Sequence, residues 1–189
     1  MKSKTTQISR PRGHGTALLV IDVQLGLFQK STPVYLAGVI LTNINSLIDR
    51  ARITGVPVIY VQHFNDSFLK NDTPGWQLHP DLLAPAPADL RIFKSHASSF
   101  EKTSLEQELD ARQVGQVVLT GLVTHGCVRA ACLDACQMGY RVILAADGHS
   151  SFSKDAAKLI TEWNEKLQQA GVQVVPTAAI TFVPEISRV

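Results

Sequence analysis

Between Thr16 and Pro176 the sequence alternates short, unbroken apolar runs with stretches whose apolar residues recur at helical spacing. A run such as Ala17-Leu18-Leu19-Val20-Ile21 has no polar side to show to water. As a strand it must be covered on both faces, which is the condition of a central strand in a parallel sheet. Val56 to Val61, with Pro57 early in it, is a second strand, and Leu90-Arg91-Ile92-Phe93 a third. Val117 to Thr120, Arg141 to Ala146 and Val172 to Val175 follow as the fourth, fifth and sixth, with Asp147 and Gly148 just past the fifth. Val39 to Ile53 carries apolar residues at 40, 41, 44, 47, 48 and 51, a helical stripe closed by Gly55. Cys127 to Met138 is a helix closed by Gly139, and Asp155 to Ala170 one closed by Gly171. Each glycine stands where a chain leaving a helix turns left-handed. Ser104 with Gln107 three residues later predicts a capping box for a helix through Arg112. The alternation predicts one α/β domain over residues 16–189, with a mostly parallel sheet and helices on both faces.

Composition excludes several function classes. With 189 residues, 45% of them hydrophobic and 18% charged, the chain suits a single domain with a substantial core. A net charge of +2 gives no electrostatic footprint for nucleic acid or a membrane surface. The three cysteines, Cys127, Cys132 and Cys136, lie within ten residues of one another, a poor disulfide framework, and a reducing compartment follows. Residues 1–15 hold Lys2, Lys4, Arg10 and Arg12 without an acid and read as a flexible basic arm. No signal-peptide core and no membrane-length apolar stretch is present, so the expected location is the cytoplasm.

Chemistry-bearing residues cluster at the predicted strand ends. Asp22 follows the first strand, Lys94 the third, and Cys127 sits where the loop after the fourth becomes a helix. Parallel strands put these ends on one edge, where open α/β sheets bind their ligands. A helix start offers unpaired amides and a favourable dipole to a thiolate or an oxyanion. An ammonium beside the thiol is expected to lower its pKa, and a carboxylate to accept its proton. Two readings of each residue stand: Cys127 is a nucleophile or one of three inert buried cysteines, and Asp22 is functional or a turn former. The segment from Gln62 to Leu90 loses periodicity and is long for a connection, in the manner of lids and binding loops. From position, Gln24 and Phe28, then His63, Trp76 and His79, then Phe152 are the expected pocket lining; for Trp76 the alternative is loop packing. Cys132 and Cys136 read as small core residues, and the spacing gives no zinc motif.

Taken together, Ile21-Asp22-Val23-Gln24, Lys94 and Gly121-Leu122-Val123-Thr124-His125-Gly126-Cys127-Val128 resemble the isochorismatase-like cysteine hydrolases. The resemblance runs from Thr16 to about Pro176. It implies a Rossmann-like three-layer fold with a six-stranded sheet, and an Asp-Lys-Cys triad. In that triad Cys127 is the nucleophile, Asp22 the general base and then acid, and Lys94 the supporting cation. It further implies a cis peptide between Leu122 and Val123, an oxyanion hole from the Val123 and Cys127 amides, and a homodimer or homotetramer. The Asp-x-His metal motif of nicotinamidase-type members is replaced by Gln62-His63-Phe64-Asn65-Asp66, so no metal or other cofactor is expected. The presence of Cys127 favours hydrolysis of a C–N bond in a small amide, ureide or lactam. Vinyl-ether cleavage of isochorismate and a thiol-sensing or binding role are the alternatives.

Overall fold

The structure, a computed structural model, describes residues 13–183. Most of the expected basic arm therefore lies outside the described residues. Six strands form one parallel sheet in the order β3-β2-β1-β4-β5-β6. They are β1 Gly15–Ile21, β2 Val58–His63, β3 Leu90–Lys94, β4 Val114–Leu122, β5 Arg141–Ser150 and β6 Gln173–Val175. The helices are α1 Leu25–Phe28, α2 Ala37–Ile53, α3 Leu105–Ala111, α4 Arg129–Gln137 and α5 Ala156–Gln169.

Alternation along β1 sorts the core into two layers. Ala17, Leu19 and Ile21 pack with residues of α3, α4 and α5 on one face. Leu18 and Val20 pack with Ile40, Ile44, Leu47 and Ile48 of α2 on the other. Covering both faces is what allows the run to be unbroken and wholly buried. Strand order reverses between β1 and β4, so the crevice beyond their C-terminal ends is the topological switch point. There Gly121 takes φ +119, and a Cβ would fall onto the Ile21 carbonyl, so only glycine lets β4 lie this close to β1.

Three local expectations are corrected. The Ser104 side chain makes no cap; Thr103 Oγ1 instead accepts from the Leu105 amide at 3.2 Å. Asp147 and Gly148 lie within β5, which runs on to Ser150 through an irregular stretch of register. The helix expected from Cys127 begins at Arg129, after a wide turn of Thr124–Val128. The long segment after β2 is fastened to α2 and β2. Asn45 donates to the Asp81 carbonyl and accepts from the Leu83 amide, Tyr60 donates to Leu83, and Arg52 donates to Ala84 and Asp89. Among the described residues no helix is long and apolar enough to cross a membrane.

Candidate active site

Asp22 directly follows Ile21, the last residue of β1. Strict alternation would send its side chain to the α2 face with Val20. Its φ of +51 breaks the alternation, a conformation aspartate tolerates better than most residues. The carboxylate comes instead to Lys94, which leaves β3 on the same face as Ile92, toward α4. Lys94 Nζ donates to Asp22 Oδ2 at 2.8 Å, with side-chain exposures of 0% and 2%. The ammonium also faces the carbonyls of His96 at 3.2 Å and Ala97 at 3.4 Å, and His63 Nδ1 at 3.4 Å. Asp22 Oδ1 is buried with no hydrogen-bond partner among the described residues.

Cys127 arrives from the turn between β4 and α4. The Leu122–Val123 peptide before that turn is cis. The Val123 carbonyl accepts from the amides of Gly126 at 3.0 Å and Val128 at 3.3 Å, closing the turn on itself. The Cys127 sulfur, an Asp22 carboxylate oxygen and a His63 ring nitrogen all lie within 4.8 Å of one another. Residues 22, 63, 94 and 127, distant in sequence, thus share one small volume at the switch point.

The electrostatics correct one expectation. The thiol pKa of Cys127 is pushed up to about 12, not down. Burial is the largest cause and the Asp22 charge adds to it, and together they outweigh the Lys94 ammonium. At neutral pH the sulfur keeps its proton, with an Asp22 carboxylate oxygen within 4.8 Å. His63 has its pKa lowered, first by burial and then by Lys94, with Asp22 opposing, so its ring is neutral at pH 7.

By donor type, Asp22, His63 and Cys127 could hold a metal ion. The Lys94 ammonium stands in hydrogen-bond range of two of these three groups, so a dication there would meet a fixed positive charge. The site does not fit a resident metal.

The expected lining divides. Phe28, Phe152 and Val123 pack on the same cluster of Leu27, Val34, Leu69 and Leu122, giving an apolar wall beside the nucleophile turn. The His79 ring lies 4.3 Å from that of Phe28, its Nδ1 accepting from the Asp81 amide at 3.2 Å, and burial lowers its pKa. Gln24 is instead an internal brace with 0% exposure. Its amide donates to the carbonyls of His63 at 2.9 Å and Trp76 at 2.8 Å and accepts from the His63 amide at 2.8 Å. Trp76 stands 5.5 Å from Phe93, whose side chain leaves β3 on the face opposite Lys94.

Sequence reasoning missed a buried group beside the turn. His149 Nδ1 lies 2.9 Å from Thr124 Oγ1, and His149 Nε2 lies 2.8 Å from Asn164 Oδ1. Its signal was the polar run His149-Ser150-Ser151, two residues past the apolar run that ends at Ala146, all three wholly buried.

The Isochorismatase domain family model matches residues 16–179. The streptothricin hydrolase of Streptomyces noursei is 32% identical over 148 residues, 77% of this chain and 53% of that protein. The chain therefore spans about half the length of that relative. The maleamate amidohydrolase of Pseudomonas putida is 32% identical over 153 residues, 71% of this chain and 72% of that protein. Among solved structures, an isochorismatase family protein aligns with a TM-score of 0.80 at 26% identity, covering 85% of this chain and 97% of that one. The matched stretch contains Asp22, Lys94 and Cys127 on a sheet of the same architecture, and the chain belongs to the isochorismatase family.

Proposed function

We propose that the protein is a cysteine hydrolase that cleaves a non-peptide C–N bond in a small amide, ureide or lactam. Cys127 Sγ attacks the carbonyl carbon while Asp22 Oδ1, the free acceptor beside it, takes the thiol proton. Lys94, bonded to Oδ2, orients that carboxylate. The Val123 and Cys127 amides receive the oxyanion. Asp22 then gives its proton to the departing nitrogen, leaving a thioester on Cys127. In the second half Asp22 deprotonates a water, which attacks the thioester; the acid leaves and the sulfur regains its proton. A thiol held protonated at rest suits this sequence, because the proton moves only as the bond to carbon forms. The observation that carries the reading is the meeting of three ionisable groups from β1, β3 and the turn after β4. The names of the relatives, a streptothricin hydrolase and a maleamate amidohydrolase, support the bond type.

Phe28, Phe152 and His79, with His63 at the polar end, are the proposed substrate walls. The same reading carries the homodimer or homotetramer, for which exposed Tyr35, Leu36 and Val39 at the start of α2 supply apolar surface, checked by light scattering. The test of function is a panel of small amides, ureides and lactams, maleamate included, followed by ammonia or amine release. Turnover by the wild type that Cys127→Ser abolishes supports the proposal. Turnover of isochorismate surviving in Cys127→Ala would move the assignment to vinyl-ether cleavage.

A further inference from the structure

The hydrolysis proposed above leaves unused one buried line of polar groups beside the nucleophile turn. It crosses α5, the end of β5 and the turn itself. Asn164 Nδ2 donates to the Ala146 carbonyl at 3.2 Å. Asn164 Oδ1 lies 2.8 Å from His149 Nε2, and His149 Nδ1 lies 2.9 Å from Thr124 Oγ1. Thr124 and His149 are both 0% exposed. A carbonyl only accepts, and that fact sets the direction of the whole line. The Asn164 amide nitrogen must face Ala146, so its oxygen faces the imidazole. His149 therefore carries its proton on Nε2 and presents a lone pair at Nδ1, to which the Thr124 hydroxyl donates. Burial holds the imidazole neutral at pH 7, its pKa brought down to about 4 against the opposing pull of Asn164 and Asp147.

Thr124 stands between Val123 and Cys127, the two residues whose amides meet the oxyanion in the mechanism above. The turn is closed by Gly126 and Val128 donating to the Val123 carbonyl. A hydroxyl fixed at Thr124 therefore fixes the backbone on both sides of it. We infer that His149 is a positioning residue of the oxyanion turn: as a neutral imidazole oriented by Asn164, it holds the Thr124 hydroxyl and with it the aim of the Val123 and Cys127 amides. The inference rests on the Cys127 mechanism. It adds a device on β5 and α5 that sets how well that mechanism stabilises charge, while leaving the sulfur itself untouched.

Two reactions at the same sulfur separate these effects. With p-nitrophenyl acetate the sulfur attacks the carbonyl carbon, an oxyanion forms, the C–O bond breaks, and p-nitrophenolate leaves an acetyl thioester. With iodoacetamide the sulfur displaces iodide at a saturated carbon, and no oxyanion forms. Both rates are measured on the full chain, with Cys127 modification read by peptide mass. Thr124→Val and His149→Phe are expected to slow acylation by about tenfold to a hundredfold, less than or equal to the loss of a whole oxyanion donor. Alkylation should stay within about threefold of the wild type, since no transition-state charge has to be held. Thr124→Ser, which keeps the hydroxyl, should recover most of the acylation rate. The double variant Thr124→Val/His149→Phe should lose no more than the worse single one, because the two act as one unit. If His149→Phe does not fold, His149→Asn, which keeps an acceptor near the Nδ1 position, should lose less than Thr124→Val. Acylation unchanged in Thr124→Val, losses that multiply in the double variant, or equal losses in both reactions would overturn the inference. Failure of the nucleophile reading is seen separately, in a wild type that neither reagent modifies at Cys127, and it would remove this inference as well.

Discussion

Replacing Lys94 with methionine tests how the buried ion pair holds the site together. The ammonium and the Asp22 carboxylate are 2.8 Å apart, with side-chain exposures of 0% and 2%. Methionine fills similar space and removes the charge. Asp22 is then left with Oδ2 unpaired as well as Oδ1, and the His96 and Ala97 carbonyls lose their donor. Breaking a buried pair from one side costs about 3 to 5 kcal/mol, because a charge remains without compensation. For a chain of this size that lowers the melting temperature by roughly 10 °C. The double variant Asp22→Asn/Lys94→Met has no charge left to strand and should regain about 2 kcal/mol or more over Lys94→Met. Urea denaturation followed by circular dichroism at pH 7 gives all four free energies of the cycle. Additive losses, with the double variant less stable than Lys94→Met, would refute the reasoning that the pair is desolvated and mutually dependent.

Asp22→Asn should abolish turnover yet move the midpoint of Cys127 alkylation with pH below the wild-type value of about 12, since the carboxylate that raises the thiol is gone and the ammonium remains. Iodoacetamide rates across pH check the direction. His149 has a folded pKa brought down from 6.5 to about 4, so the unfolded chain takes a proton in that window that the folded chain refuses. Stability is full above pH 6.5 and is lost as pH falls toward 4, by on the order of 3 kcal/mol from this group, and His149→Asn should flatten that fall in a melting series. Gln24→Met leaves the His63 amide and the His63 carbonyl without this partner, while the Trp76 carbonyl keeps only the Gln62 side-chain amide at 3.1 Å. It should cost on the order of 3 kcal/mol and speed proteolysis in the segment after β2, read by denaturation and limited trypsin digestion.

The fold was legible because its physics is periodic. Ala17–Ile21 could be unbroken only in a doubly covered strand, and residues 40, 41, 44, 47, 48 and 51 could share a side only on a helix. The family and the rim positions of Asp22, Lys94 and Cys127 were legible for a related reason: strand ends in a parallel sheet have a common edge. Side-chain direction at that edge was not. The backbone bend at Asp22 and the choice of face for Trp76 depend on loop paths that no spacing encodes. Gln24 lies two residues from Asp22 and looked like a pocket residue, but its amide matched three backbone groups of a segment some 40 residues on, a non-local match. The sign of the Cys127 shift was missed because a neighbouring lysine is visible in sequence, whereas the burial that outweighs it is not. His149 and Asn164 are 15 residues apart, on β5 and α5, and only the crossover between those elements brings them together.

The central claim is that a covalent acyl group passes through Cys127 with Asp22 carrying the proton. Rapid-quench intact-mass spectrometry during turnover of p-nitrophenyl acetate measures it directly. The account requires one acetyl group per chain, mapped to the peptide containing Cys127, transient in the wild type, absent in Cys127→Ala and strongly slowed in Asp22→Asn. Product release with no acyl mass on Cys127, or full acylation and turnover in Asp22→Asn, would contradict it.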